Sequence, residues 1–229
     1  INLLQGDKII SRSKASISRE IKKITKMPHF KGNIDNIGGP SANMYGMDCN
    51  KCTGNCIDCN SLDRTNKEFI QLLKEAQQIP GEKKVYIRSG VRYDLASSEF
   101  IKQLALHHTS GKVRIAPEHV NEKVLELMNK NKGNFHDFIR EFRKHNKKDE
   151  ISFYFMTAHP GSSMKEAKKL ADELKQLKNT EDVQVFTPTP MTVSTCMYYT
   201  SLNPKTKEKI YIPYTYREKK EQKRILFKS

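Results

Sequence analysis

The sequence predicts an α/β fold, a partial (βα) barrel with mostly parallel strands. Three observations predict it. Short apolar runs alternate with amphipathic helical stretches. The runs recur at about 30–40 residues, the length of a βα unit. Each run ends in a polar or glycine-bearing turn. Asn33–Ile37 leads into Gly38-Gly39-Pro40, and Lys84–Ser89 into Gly90-Val91-Arg92-Tyr93-Asp94. Lys112–Ala116 leads into Pro117-Glu118-His119, Ile151–Thr157 into Ala158-His159-Pro160-Gly161, and Val183–Phe186 into Thr187-Pro188-Thr189-Pro190. Barrels of this kind carry their sites at the strand C-terminal ends, so these five ends are expected to converge on one pocket.

The helices follow from periodicity. Ser13–Lys26 places Ile17, Ile21 and Ile24 on one side. Asp63–Gln78 turns Phe69, Leu72 and Leu73 inward, with a cap expected near Asp63 or Thr65. In Ser97–His108, Ser97 or Ser98 caps a face of Phe100, Ile101, Leu104 and Ala105. Asn121–Lys130 and Asn134–Lys147 form a pair broken at Gly133. Ser162–Leu177 turns Ala167, Leu170, Ala171 and Leu174 inward.

Two stretches break the rhythm: a Cys-rich insertion at residues 45–61, and Thr189–Pro213, which reads as irregular. A complete eight-stranded barrel needs more chain than 229 residues, so a partial TIM-like barrel is expected, with its first strand missing. Ile1-Asn2-Leu3-Leu4 does not resemble a natural start, and the chain reads as an internal fragment. A core over residues 1–200 and a basic segment over 201–229, cut short, is the expected division.

Apolar residues make up 36% of the chain, and mean hydropathy is −0.72. No apolar stretch is long enough to span a bilayer and no signal-peptide pattern is present, so no membrane is expected and a cytoplasmic protein is. Net charge is +15, from 41 Lys and Arg against 26 Asp and Glu. That balance suits a nucleic-acid partner, RNA among them, but its spread along the chain also suits solvated helix faces. The local excess is Lys205–Ser229, with nine Lys or Arg against three Glu.

Cys49, Cys52, Cys56 and Cys59 form C-x2-C-x3-C-x2-C. In a chain without a secretory signal this density favours a metal over disulfides. Four thiolates on a short loop can close around Zn or hold an Fe–S cluster, and the spacing leaves both open. The linker between the pairs is too short for a zinc ribbon. Cys196 is far away and reads as a small core filler.

The strand-end motifs resemble those of the radical S-adenosylmethionine (SAM) superfamily. Gly38-Gly39-Pro40 sits where those enzymes place a Gly-Gly-Glu turn. Arg114-Ile-Ala-Pro-Glu118-His119 with Val124–Asn129 resembles their fourth strand and its helix. Ala158–Gly161 resembles the Gly-Phe-Pro-Gly turn, and Phe186–Pro190 the segment beside the adenine. Within the superfamily the likeness is to the YgiQ family, through Ile10–Ser13, Ile37–Tyr45, Ser89–Asp94, Ile115–His119, Ala158–Gly161 and Met197–Thr200, in family order over nearly the whole chain. One departure matters. The family's C-x3-C-x2-C loop is absent, so the ligands of a [4Fe-4S] cluster are expected upstream of Ile1. Cys49–Cys59 differs in spacing and position and would be a separate Zn or second Fe–S site.

The resemblance implies a radical SAM enzyme, inactive as this chain alone, that reductively cleaves SAM to a 5′-deoxyadenosyl radical. It implies an electron donor of the flavodoxin or ferredoxin type and leaves the substrate open. Cofactor contacts are implied for Gly38, Gly39, Pro40, Arg92, Glu118, His119, His159 and Thr187. Plainer readings stand beside these: a cap or salt bridge for Glu118, a structural histidine for His159, an ion pair for Arg92 with Asp94, and core packing for Tyr198 and Tyr199. The competing function is a non-catalytic, metal-stabilised RNA-binding protein.

Overall fold

The computed structural model describes residues 2–5, 8–39, 41–48, 59–81, 84–130, 133–177 and 183–227. The chain is mixed α/β with parallel strand pairs. It divides into two compact units: Ile1–Ile115 with Lys132–Ile151, and Ala116–Asn131 with Ser152–Ser229.

The first unit opens with an antiparallel pair that periodicity did not reveal, β1 (Asn2–Gln5) against β2 (Lys8–Ser11). Helix α1 (Lys14–Ile24) follows, started by Ser13, whose hydroxyl accepts from the Ser16 N–H at 3.3 Å. Ile17 and Ile21 are buried one turn apart. Strand β3 (Asn33–Ile34) pairs in parallel with β4 (Lys84–Val85). Both ladders are shorter than the apolar runs because a side chain takes over. Asn36 Oδ1 accepts from the Arg88 and Ser89 N–H groups at 2.9 and 3.1 Å, where a strand partner would otherwise stand.

Helix α2 (Lys67–Gln77) begins four residues later than its expected start. Its N-cap is Asn66 in the left-handed region, φ 56°, while Asp63 closes a local turn on Thr65 instead. The Asn66 amide is buried: it donates to the Asn43 and Leu95 carbonyls and accepts from the Ser97 N–H. Those bonds outweigh the ordinary preference for an extended cap. Helix α3 (Ser98–Gln103), capped by Ser97, continues as a π-helical turn over Leu104–His108. The wider turn sets His108 beside Val85, its Nδ1 at 2.8 Å from the carbonyl. Phe69, Leu72, Leu73, Phe100 and Leu104 are fully buried, and Phe69 and Phe100 pack with centroids 5.6 Å apart.

Strands β5 (Lys112–Glu118) and β6 (Glu150–Thr157) each start in the first unit and end in the second. Helix α4 (Glu122–Leu127) belongs to the second unit, and α5 (Phe135–His145) to the first, where it packs on α3. Strand order in the sheet is β5-β6-β7, with β7 (Gln184–Val185) parallel to β6. Most of β6 is buried on both faces, as a parallel strand requires. Helix α6 (Met164–Leu174) starts on a capping box between Ser163 and Glu166. At the turn before it, Gly161 has φ 88°, and a Cβ there would lie 2.4 Å from Leu127 Cδ1. The Leu127 tip could turn aside, but the left-handed backbone itself favours glycine.

The segment expected to be irregular contains α7 (Val193–Thr200), capped by Thr192. Cys196 lies on it and is exposed, so it is not a core filler. Helix α8 (Tyr216–Leu226) packs on α6. Its Gln222 is fully buried: Oε1 accepts from Thr157 Oγ1 (3.1 Å), the Ala158 N–H (3.0 Å) and Ser162 Oγ (3.3 Å), while Nε2 donates to the Ser162 carbonyl (2.8 Å). The basic tail helix is therefore bolted to the end of β6 and is not simply solvated. Among the described residues no helix is long and apolar enough to cross a membrane.

Gln222→Ala would strand four buried polar groups. At roughly 1–3 kcal/mol for an unsatisfied buried group, partly relieved by water, the expected loss is about 2–4 kcal/mol of unfolding free energy. Urea denaturation reads this directly, with the exposed Arg217→Ala as a neutral comparison.

Candidate functional site

The second unit gathers its polar side chains where β5 and β6 end. A non-glycine residue in the left-handed region stands at each strand end: Glu118, the last of β5, at φ 67°, and Ala158, just after β6, at φ 58°. Such positions cost about 1–3 kcal/mol and persist only where the surroundings impose them. Here the imposition is visible. Glu118 Oε1 pairs with Lys130 Nζ at 2.8 Å, and the same ammonium lies 3.3 Å from the Ala116 carbonyl. The Ala158 N–H is held by Gln222. Glu118 Oε2 is buried and has no hydrogen-bond partner among the described residues.

His119 follows at once, 1% exposed. Its Nδ1 accepts from the Val120 and Asn121 N–H groups at 2.9 and 3.0 Å. With Nδ1 an acceptor, the neutral ring carries its proton on Nε2. That Nε2–H is buried and unpartnered among the described residues. Burial, with His159 nearby, pushes the His119 pKa down to about 4, against a smaller upward pull from Glu166.

His159 has both nitrogens engaged. Nδ1 lies 2.8 Å from the Pro160 carbonyl, which can only accept, so the proton sits there, and Nε2 accepts from Ser194 Oγ at 2.8 Å. Its ring meets Phe186 edge-on at 5.0 Å. Burial holds its pKa at about 4 as well. Thr187, next along, is exposed and turns its hydroxyl to the Val185 carbonyl at 3.4 Å. Tyr198 packs between Phe186 and Tyr214, with Lys219 Nζ 4.6 Å above its ring, while Tyr199 is exposed.

In the first unit, a Cβ on Gly38 would lie 2.8 Å from Ser89 Oγ, so local packing alone demands glycine there. Around Gly39 nothing lies within 4 Å of such a Cβ. Arg92 is committed: Asn43 holds its backbone through two 2.8 Å bonds, and its guanidinium pairs with Asp94 through Nε at 2.8 Å and through Nη2. That is the ion-pair reading of Arg92. Asn43, Lys130, Ser194 and Gln222 escaped the sequence reading. The legible signal was an amide or cation inside an otherwise apolar stretch, as with Asn43 between Ala42 and Met44.

Pro40, Cys49, Cys52 and Cys56 lie outside the described residues. Cys59 is half-buried, its carbonyl accepting from the Leu62 N–H and Arg64 Nη1, both at 3.2 Å. Among the described residues no group of three or more metal-ligating side chains is found.

A UPF0313 protein of Methanosarcina acetivorans is 43% identical over 240 residues, covering 97% of this chain and 32% of the relative. UPF0313 protein MJ1155 of Methanocaldococcus jannaschii is 43% identical over 242 residues, covering 96% of this chain and 40% of the relative. A UPF0313 protein of Clostridium botulinum is 41% identical over 97% of this chain. Over almost its whole length the chain is similar to UPF0313 proteins. It spans about a third to two-fifths of the length of these relatives. A model described as a domain of unknown function, DUF3362, matches residues 181–228 of the chain. Among solved structures it is similar to Escherichia coli coproporphyrinogen III oxidase (HemN), described as a radical SAM enzyme. Identity is 12%, TM-score 0.47, with 97% of this chain and 46% of that chain covered. Methanocaldococcus infernus Elp3 is 17% identical at a TM-score of 0.46, covering 88% of this chain and 49% of that chain.

The two buried histidines give the chain a pH signature. Unfolded, each titrates near 6.5; folded, near 4. Between those values the unfolded chain binds protons that the folded chain refuses, so their contribution is whole above pH 6.5 and is lost as pH falls toward 4. At ~1.4 kcal/mol per pKa unit the loss is on the order of 3 kcal/mol for each histidine. Urea unfolding between pH 7 and pH 4.5 should show the decline, and replacing both histidines by Gln should flatten it.

Proposed function

We propose that this chain is part of a radical SAM enzyme, binding S-adenosylmethionine for reductive cleavage at a [4Fe-4S] cluster. One observation carries the reading. At the end of β5 a carboxylate oxygen and an imidazole N–H, Glu118 Oε2 and His119 Nε2, are buried side by side in sequence without partners among the described residues. Buried polar atoms are rarely left so, and their chemistry fits an ammonium or sugar hydroxyls on one side and an acceptor on the other.

When bound to a reduced cluster, S-adenosylmethionine supplies a 5′-deoxyadenosyl radical. The chain's own residues bind and orient. Glu118 would accept from the ammonium or ribose hydroxyls, held in place by Lys130. His119 would donate from Nε2, its ring fixed by two backbone N–H groups. His159 would present its edge with Phe186 toward the adenine, Ser194 and Pro160 locking its tautomer, and Thr187 would follow on the same turn. Gly38, Gly39 and Pro40 would keep the role the resemblance implies, contact with the methionine moiety; nothing lies within 4 Å of a Cβ placed on Gly39. Arg92 would stiffen its strand end through Asp94 and make no cofactor contact. The cluster's cysteines are expected upstream of Ile1, and Cys49, Cys52, Cys56 and Cys59 would hold a separate Zn or Fe–S centre. An electron donor of the flavodoxin or ferredoxin type completes the system.

The test is anaerobic reconstitution of the whole natural protein with iron and sulfide, followed by dithionite. Release of 5′-deoxyadenosine is expected. Glu118→Gln should weaken S-adenosylmethionine binding by about tenfold or more, the worth of one charge-assisted hydrogen bond, with little change in thermal midpoint. A well-loaded protein that releases no 5′-deoxyadenosine would overturn the reading.

A further inference from the structure

Helix α8 has an outer face that the cofactor chemistry does not use. Gln222 and Leu226 point inward. Tyr216, Lys219, Lys220, Lys223, Arg224 and Phe227 recur at the spacing of one helical stripe. Together with Phe186 and Pro188 beyond β7 they line a cavity of about 520 Å³. Its floor is apolar and aromatic, and no carboxylate is among its lining residues. Tyr216 is 79% exposed and Phe227 54%. Rings so exposed at the two ends of a basic stripe are not explained by the core.

The cations differ in how they are held. Lys219 Nζ is braced by the Tyr198 hydroxyl at 3.0 Å. Arg224 is held by Glu221, one of its bonds at 2.7 Å. Lys220 is exposed and has no ion-pair partner among the described residues. The stripe therefore carries two braced cations and an exposed lysine over an apolar floor.

We propose that this face binds single-stranded nucleic acid, with bases stacked on Tyr216 and Phe227 and phosphates on Lys220, Lys223 and Arg224. The two rings are eleven residues apart, roughly 16 Å along the helix axis, so each takes its own base. Charge complementarity selects a polyanion, and the aromatic floor selects one with flat apolar faces. An acidic peptide would satisfy the first requirement and leave the second unexplained. A membrane-surface helix would segregate its basic and aromatic residues onto opposite faces, whereas here they share one. The proposal does not require the radical chemistry, although Phe186 serves both readings.

Fluorescence anisotropy of a labelled 12-nucleotide oligouridylate, titrated with the whole natural protein, tests it. Saturable binding is expected, with a slope of log affinity on log salt of about −2 to −3, corresponding to three or four phosphates on a single strand. Tyr216→Ala and Phe227→Ala should each weaken binding roughly fivefold to a hundredfold and leave that slope alone. Lys220→Gln should make the slope shallower by roughly 0.7. All three positions are exposed, and unchanged circular dichroism will show that the variants fold. Oligodeoxythymidylate run in parallel tells RNA from DNA, and either one binding in this way supports the proposal. Aromatic variants that bind like wild type, or equal binding of polyglutamate or phosphatidylserine vesicles, would overturn it. So would binding by the 229-residue chain that the whole protein lacks, since a segment of the protein itself would then occupy the face.

Discussion

Where a short parallel ladder stops, its last backbone groups are already inside the protein and still need partners. This constraint shapes both units, and both meet it with amide side chains. In the second unit Gln222 reaches from α8 to the end of β6 and satisfies a hydroxyl, an N–H and a carbonyl together. In the first, Asn36 replaces a strand partner for Arg88 and Ser89, Asn43 pairs with both backbone groups of Arg92, and Asn66 joins three segments. An amide suits the task because it carries donor and acceptor without charge, and so avoids the desolvation cost of a buried ion. The strand ends can then hold unusual backbone, such as left-handed Glu118 and Ala158, because side chains over-determine them.

The same low-dielectric surroundings set the protonation of the second unit. His119 and His159 stay neutral, and their tautomers are opposite: one keeps its proton on Nε2, the other on Nδ1. Each assignment comes from a rigid backbone group and not from solvent. The result is a fixed donor at His119 and a closed, fully bonded ring at His159. Glu118 pairs one oxygen with Lys130, which leaves the other buried and without a partner among the described residues. Two adjacent residues, one half-buried and one buried, therefore offer opposite hydrogen-bond character.

Much of the fold was legible because its signals are local. Ser97 caps α3 as expected, α1 and α6 start within two residues of their expected starts, and the buried faces of α1, α2 and α6 follow the 3.6-residue period. What failed had a tertiary cause. Asp63 looks like a cap from sequence, but Asn66 wins the position through three bonds to residues 23 to 31 positions away. The runs at Asn33–Ile37 and Lys84–Ser89 look like full strands, but Asn36 truncates both ladders. Helix α7 hides because Thr, Ser, Tyr and Val are weak helix formers, and only Thr192 as a cap signals it. Of the site residues, Glu118, His119 and His159 were visible at their strand ends, whereas Lys130 and Gln222 act from 12 and 64 residues away, beyond the reach of any local pattern.

Helix α8 shows why charge counting alone misreads a basic tail. Spread over Lys205–Ser229, nine cations against three Glu look like solvation. Folding sorts them. Gln222 anchors one side of the helix by bonds that are all internal, which fixes the helix about its own axis. With rotation fixed, the cations at 219, 220, 223 and 224 come to one side with Tyr216 and Phe227, over Phe186 and Pro188. A freely turning solvated helix has no need for exposed rings at both ends of its basic stripe, because each exposed ring costs solubility and gains no packing. The buried amide and the exposed stripe are thus two consequences of one placement: the residue that completes the end of β6 also decides which way the charge faces.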